Sequence, residues 1–193
     1  MGYDLNMLMW LLSCAEPDGE VLYQDYCGLC HGVSGEGYDA DRANALNNPE
    51  FLASASDTFL VESTRLGRPG TSMSAWSVDA LGPLDDAQID AIVARMRQWQ
   101  TLEPVEVDSV VVSGDAAAGA QLYAEQCAVC HGADGEGASA LSLSNPEFLA
   151  IASDGFIRYG IAAGRSGTAM MAYADVLQDA QIDDLVAFIR DWE

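Results

Sequence analysis

Two pentapeptides decide how this chain is read: Cys27-Gly28-Leu29-Cys30-His31 and Cys127-Ala128-Val129-Cys130-His131. They lie one hundred residues apart and are the same motif, C-x-x-C-H. The chain holds five cysteines and two histidines, so the motifs take four of the cysteines and both histidines. This spacing reads as c-type haem attachment. The two thiols form thioether links to the porphyrin, and the adjacent histidine faces the iron as proximal ligand. The expectation is therefore two covalent haem c groups, held by Cys27, Cys30 and His31 and by Cys127, Cys130 and His131.

Outward from the motifs, the chain repeats itself. Gly19 to Cys27 matches Gly119 to Cys127, with Leu and Tyr at the same places. Each histidine is followed by a glycine and then by Gly-Glu-Gly, at 35–37 and 135–137. Asn48-Pro49-Glu50-Phe51-Leu52-Ala53 recurs from Asn145 to Ala150, and Gly67-Arg68-Pro69-Gly70-Thr71-Ser72-Met73 recurs as Gly164-Arg165-Ser166-Gly167-Thr168-Ala169-Met170. Asp86-Ala87-Gln88-Ile89-Asp90 recurs from Asp179 to Asp183, and Trp99 recurs as Trp192.

Each copy reads as helical, with no convincing strand pattern. Residues 18–30 and 115–130 predict an opening helix, on which Gly19 and Tyr23, or Gly119 and Tyr123, share a face. The small residue there permits close helix approach. Residues 86–99 and 179–192 predict closing amphipathic helices, apolar at Ile89, Ile92, Val93, Met96 and Trp99 and at Ile182, Leu185, Val186, Ile189 and Trp192. Asp85, Asp86 and Asp179 suit the first turn. Short helices near 50–54 and 147–152 follow a proline start, and Gly-rich loops fill the rest. The expected organisation is a leader over 1–14, domains over 15–100 and 115–193, and an extended linker over 101–114 in which Val110-Val111-Val112 either packs across a domain interface or runs free.

Composition limits the partners. The 193 residues carry 30 acidic side chains against eight basic ones, for a net charge of −22. All eight are arginine. Nucleic-acid binding needs a basic footprint and is excluded. A redox partner steered by charge should present a basic surface, although the acidity equally suits a secreted or salt-adapted protein. No 18-residue apolar run occurs, so no ordinary transmembrane helix is expected.

The run Leu5-Asn6-Met7-Leu8-Met9-Trp10-Leu11-Leu12 suits a secretory h-region. Leu11-Leu12-Ser13-Cys14 resembles a bacterial lipobox, which implies lipidation of Cys14 and a membrane anchor. Asp4 stands where a basic residue belongs, and a free cysteine in a terminal helix is the alternative. Haem attachment independently implies export to the periplasmic side.

Each half thus resembles a class I cytochrome c: a helix with Gly-x-x-x-aromatic, C-x-x-C-H-G, a Gly-rich loop, a methionine loop and a closing helix. The whole resembles the tandem dihaem cytochromes c of bacterial respiratory chains, over about residues 18 to 192. The resemblance implies an all-α fold of two small domains, each wrapped around one covalent haem. It also implies a distal methionine in the loops Gly70-Thr71-Ser72-Met73-Ser74-Ala75-Trp76 and Gly167-Thr168-Ala169-Met170-Met171-Ala172-Tyr173. Composition agrees, since no histidine remains for a second axial position and a thioether suits iron. Met73 and Met170 occupy the repeated position; Met171, aligned with Ser74, is the alternative in the second copy. Both loops lack the proline that the family places after the ligand, which puts their stiffness in question. The family's proline carbonyl for the histidine Nδ1 is also missing, so another carbonyl must accept that proton. Arg68 and Arg165 are candidates for haem propionates or ordinary surface arginines. Trp76 and Tyr173 are expected to wall the haem crevice.

The expected function is electron transfer between membrane-associated respiratory complexes or oxidoreductases. Three rivals share the motifs: a peroxidase-like or thiosulfate-oxidising haem enzyme with a labile methionine, an electron-transfer subunit fixed in a larger complex, and a redox dithiol or zinc site. The last leaves the histidine after each cysteine pair unexplained.

Overall fold

The computed structural model describes residues 16–38 and 43–193. Their regular structure is helical: α1 Gly19–Tyr26, α2 Gly28–His31, α3 Pro49–Ser54, α4 Asp57–Leu66, α5 Asp86–Arg97, α6 Ala116–Gln126, α7 Ala128–His131, α8 Pro146–Ile151, α9 Asp154–Ala163 and α10 Asp179–Arg190. A 3₁₀ turn at Val78–Ala80 and an isolated bridge between Ser77 and Leu84 complete the first half. The leader over 1–14 and its Cys14 lie outside the described residues.

In each half the opening helix crosses the closing one, α1 on α5 and α6 on α10. Glycine makes the crossing possible. A Cβ built at Gly19 would lie 2.1 Å from the Ala91 carbonyl oxygen, and one at Gly119 would lie 2.0 Å from that of Asp184. Backbones this close admit no side chain. One turn on, Tyr23 and Tyr123 are fully buried. Their rings meet Trp99 and Trp192 edge-on at 5.0 and 5.1 Å, and their hydroxyls donate to the Gly32 and Gly132 carbonyls at 2.9 and 2.8 Å. The closing helices bury the expected stripes, Ile89, Ile92, Val93 and Met96 and then Ile182, Leu185, Val186 and Ile189. They end at Arg97 and Arg190, two residues short of the tryptophans.

The structure corrects two expectations. The opening helix is not continuous: it stops before Cys27, which is a turn, and a separate single turn carries Cys30 and His31, with the same break at Cys127. A second helix, α4 or α9, follows each short helix, where the sequence reading expected loop. Each is capped by a serine, Ser56 to the Phe59 N–H at 3.2 Å and Ser153 to the Phe156 N–H at 3.1 Å. Such a cap is worth about 1 kcal/mol.

Arginine ties these helix pairs to the closing helix. Arg97 donates Nε to Asp57 at 2.7 Å and Nη1 to the Leu52 carbonyl at 2.7 Å, and Arg190 does the same to Asp154 and Leu149, both at 2.7 Å. Each guanidinium satisfies carbonyls at the end of one helix and a carboxylate at the start of the next.

The halves meet through these same elements, α3 on α9 and α4 on α8. Phe59 and Phe156 stack at the centre, 4.5 Å apart and tilted by 32°. Phe51 and Phe148 close the cluster edge-on at 6.3 Å from Phe156 and 6.4 Å from Phe59, respectively. The connecting segment seals one edge: the Val105 N–H donates to the Ala53 carbonyl at 2.7 Å, and the Ser153 hydroxyl bonds Asp108 at 2.9 Å. Within it Val107 is buried, while Val110 and Val111 are exposed and Val112 is half-buried. Val107 is thus the fully buried member of the segment, its carbonyl beside Gly155 of the second half, with Val110 against the same glycine and Val112 packed on the core.

Candidate haem sites

His31 and His131 each end a single helical turn that begins beside the first cysteine of the motif. That turn brings Cys27, Cys30 and His31 onto one short stretch of backbone, closed by the His31 N–H donating to the Cys27 carbonyl at 3.0 Å; the Cys127 turn is closed identically. No disulfide joins the cysteines within either pair. Burial pushes the Cys27 thiol up to about 12 and that of Cys127 to about 11. Burial thus disfavours a free thiolate at the first cysteine of each motif. Thioether formation consumes the thiol and leaves no buried charge.

The carbonyls that hold the histidines are now identified. His31 Nδ1 lies 2.9 Å from the Asn44 oxygen, and His131 Nδ1 lies 2.9 Å from the Leu141 oxygen. A carbonyl accepts only, so Nδ1 carries the proton and Nε2 keeps its lone pair for iron. Burial lowers the pKa of both histidines, against a smaller upward pull from these bonds. Neutral imidazole is the form a metal needs.

The methionine loops are built twice on one plan. The Arg68 N–H donates to the Met73 carbonyl and the Arg165 N–H to that of Met170, both at 2.8 Å. The Thr71 and Thr168 hydroxyls donate back to the Arg68 and Arg165 carbonyls at 2.7 and 2.8 Å, and accept from the Met73 and Met170 N–H groups at 3.1 Å. The threonine latch supplies stiffness where the following proline is missing. Met170, not Met171, occupies the place of Met73 in this pattern. Met170 packs against the core, whereas Met171 is exposed. Trp76 lies edge-on to Tyr26 at 5.4 Å, and the Tyr173 hydroxyl donates to the Gln126 carbonyl at 3.1 Å, so both aromatics bridge from the methionine side to the residue before a motif cysteine.

Arg68 and Arg165 are half-buried residues with buried guanidinium groups, not surface arginines. Arg68 donates to the Gly67 carbonyl and the Ser63 hydroxyl and lies over Phe59 and, across the interface, Phe148. Arg165 donates to the Gly164 carbonyl and lies over Phe156. Neither has a carboxylate within ion-pair distance among the described residues. Burial lowers the Arg68 pKa to about 10, partly opposed by the charge of Glu147, and burial likewise lowers that of Arg165, opposed by Glu50. A buried cation beside each methionine loop has room in its chemistry for an anionic group.

The residues present therefore fit a covalent haem in each half. Each half offers a pair of thiols, an imidazole with its Nδ1 proton fixed, a latched thioether and a buried cation.

A family model described as cytochrome c oxidase, cbb3-type, subunit III matches residues 15–111 and again 114–189. Among curated proteins, the chain is 28% identical over 190 residues to the cbb3-type cytochrome c oxidase subunit FixP of Bradyrhizobium sp. strain ORS 278, covering 93% of this chain and 62% of that protein. It is 24% identical over 229 residues to the cytochrome c subunit of the quinone alcohol dehydrogenase of Gluconacetobacter polyoxogenes, covering 90% of this chain and 49% of that one. The chain thus spans less than two thirds of the length of these relatives. Among solved structures, a chain of the Kuenenia stuttgartiensis reducing HAO-like protein complex Kustc0457/Kustc0458 superposes with a TM-score of 0.56 at 18% identity, covering 91% of this chain and 95% of that one, a likeness of fold.

Proposed function

We propose, of a chain that belongs to the cbb3-type cytochrome c oxidase subunit III family and carries two covalently bound haem c groups, that it carries electrons between membrane-associated respiratory complexes or oxidoreductases on the periplasmic side. The observation that supports this reading is that the same two groups are built twice: an imidazole fixed through Nδ1, His31 and His131, and a thioether on a threonine-latched loop, Met73 and Met170. These are the groups that would hold the iron of each haem. Haem ligated in this way supplies one-electron iron chemistry at a potential raised by the methionine. Cys27 and Cys30, and Cys127 and Cys130, attach it. Arg68 and Arg165 offer their buried charge to its carboxylates.

With an imidazole and a thioether both on iron, no position would be left there for a substrate, which separates this reading from a haem enzyme. The absorption spectrum of the haem-loaded chain tests it: a six-coordinate, low-spin iron with a ferric methionine–iron band is expected at both sites. A five-coordinate, high-spin signal at either site would favour the enzyme.

A second reading, a subunit fixed in a larger oxidoreductase complex, is favoured by relatives that bear the names of oxidase and alcohol dehydrogenase subunits. It keeps the same chemistry and changes the partner, and copurification from the native host distinguishes it from a free carrier. The net charge of −22 favours a basic docking surface on the partner in either case. No helix among the described residues is long and apolar enough to cross a membrane. Lipidation of Cys14 would hold the carrier at the membrane, and mass spectrometry of the membrane fraction tests it.

A further inference from the structure

Each methionine loop is gripped by the opposite half at one equivalent point. Asn48 caps α3 by accepting from the Phe51 N–H, and its Nδ2 donates to the Ser166 carbonyl at 3.0 Å. Asn145 caps α8 in the same way and donates to the Pro69 carbonyl at 2.9 Å. The next contact breaks the equivalence. Glu50 Oε2 accepts from the Ser166 N–H at 3.0 Å and from the Ser166 hydroxyl at 2.9 Å. For its counterpart Glu147, the residue at the place of Ser166 is Pro69, which has no N–H and no hydroxyl to give.

Ser166 stands two residues before Thr168, whose hydroxyl holds the Met170 N–H at 3.1 Å. The carboxylate of the first half therefore fixes the base of the loop that carries the second half's methionine. At the corresponding place in the first half, Pro69 sets its own φ and stiffens the Met73 loop from within. One loop carries its restraint in its own chain; the other depends on docking.

We propose that Glu50 is a positioning residue for the Met170 loop, acting across the interface, and that Pro69 leaves the Met73 loop without an equivalent. The two iron sites, duplicate in sequence, then retain their methionines unequally. The second site tightens only when the halves are docked. This inference rests on Met170 being the second distal ligand.

The test is titration of the ferric, haem-loaded chain with imidazole, whose nitrogen replaces the methionine sulfur on iron without change of valence. Each site is followed by loss of its own methionine–iron resonance. Glu50→Gln should raise imidazole affinity at the Met170 site about tenfold, because a neutral amide accepts the two Ser166 bonds roughly half as strongly as a carboxylate, and leave the Met73 site unchanged. Glu147→Gln should change neither. Pro69→Ser supplies Glu147 with the missing donors and should make imidazole affinity at the two sites respond alike to Glu147→Gln and Glu50→Gln. Equal response of both sites to Glu50→Gln, or no response of either, overturns the proposal. Met170→Ala separates the two failures: if it removes one methionine resonance while Glu50→Gln does nothing, only the positioning role falls. If both resonances survive it, the ligand assignment falls as well.

Discussion

At the scale of single residues, the chemistry of each site depends on a few atoms whose state is fixed by neighbours. The Asn44 and Leu141 carbonyls choose the histidine tautomer, and neither could be named from the sequence, because any backbone oxygen in the loop after the motif can serve. The choice between Met170 and Met171 was open for a related reason. The repeat aligned Met170 with Met73, but a slip of one residue would exchange adjacent methionines, and the threonine latch and the exposure of Met171 now distinguish them. Met73→Ala and Met170→Ala should each abolish half of the ferric methionine–iron absorption, whereas Met171→Ala should leave it intact. Glu50 gives a pH prediction. Partial burial works to raise its pKa, but bonds from the backbone of its own helix and from the Ser166 hydroxyl and N–H, with the charge of Arg165, outweigh this and hold it below the ordinary value. A carboxylate whose folded pKa is lowered stabilises the fold fully above its unfolded pKa of about 4.3, and that contribution is lost as pH falls through the lower folded value. Acid unfolding of the wild type should accordingly show a component in that window that is missing from Glu50→Gln.

At the scale of elements, the opening and closing helices were legible because each carries a long apolar stripe or a paired glycine and tyrosine. The helices α4 and α9 were not. Each follows a six-residue helix after only two extended residues, Ala55 and Ser56 or Ala152 and Ser153, so the pair reads as one short helix and a loop. Their buried faces are also brief, Phe59, Leu60 and Thr64 in the first and Phe156, Ile157 and Ile161 in the second. The break at each first cysteine was hidden because residues on both sides of it are helical and the turn costs the pattern one position. The glycine crossings, by contrast, were read directly, and they make the sharpest prediction at this scale. Gly119→Ala places a methyl against the Asp184 carbonyl and should lower stability by at least about 1–3 kcal/mol, seen as a fall in thermal midpoint of the haem-loaded chain. On the same helix, Gln121→Ala at an exposed position should alter it little.

At the scale of the whole molecule, the duplicated sequence predicted two similar halves but gave no sign of how they dock. The interface residues come from the repeat's own phrases: Asn48 and Glu50 meet the loop that carries Met170, and Asn145 with Phe148 meets the loop that carries Met73. A repeated motif is read first as a feature of each copy, and its role between copies appears only in the assembled structure. The stacked Phe59 and Phe156 are the centre of that contact. Phe59→Ala should cost about 3 kcal/mol or more, and in hydrogen exchange the α3, α4, α8 and α9 amides should lose protection together. The acidic surface acts over a longer range. Electron transfer to a basic partner should slow as salt rises toward 0.1 M, where screening reaches about 10 Å, while transfer to a neutral partner should not.

The central claim, that each half holds its haem between one histidine and one methionine, is tested most directly by the proton NMR spectrum of the reduced, haem-loaded chain. Two sets of axial-methionine resonances, shifted far upfield by the porphyrin ring current and lost one at a time in Met73→Ala and Met170→Ala, are the predicted result. A spectrum with only one set, or with none, would contradict it.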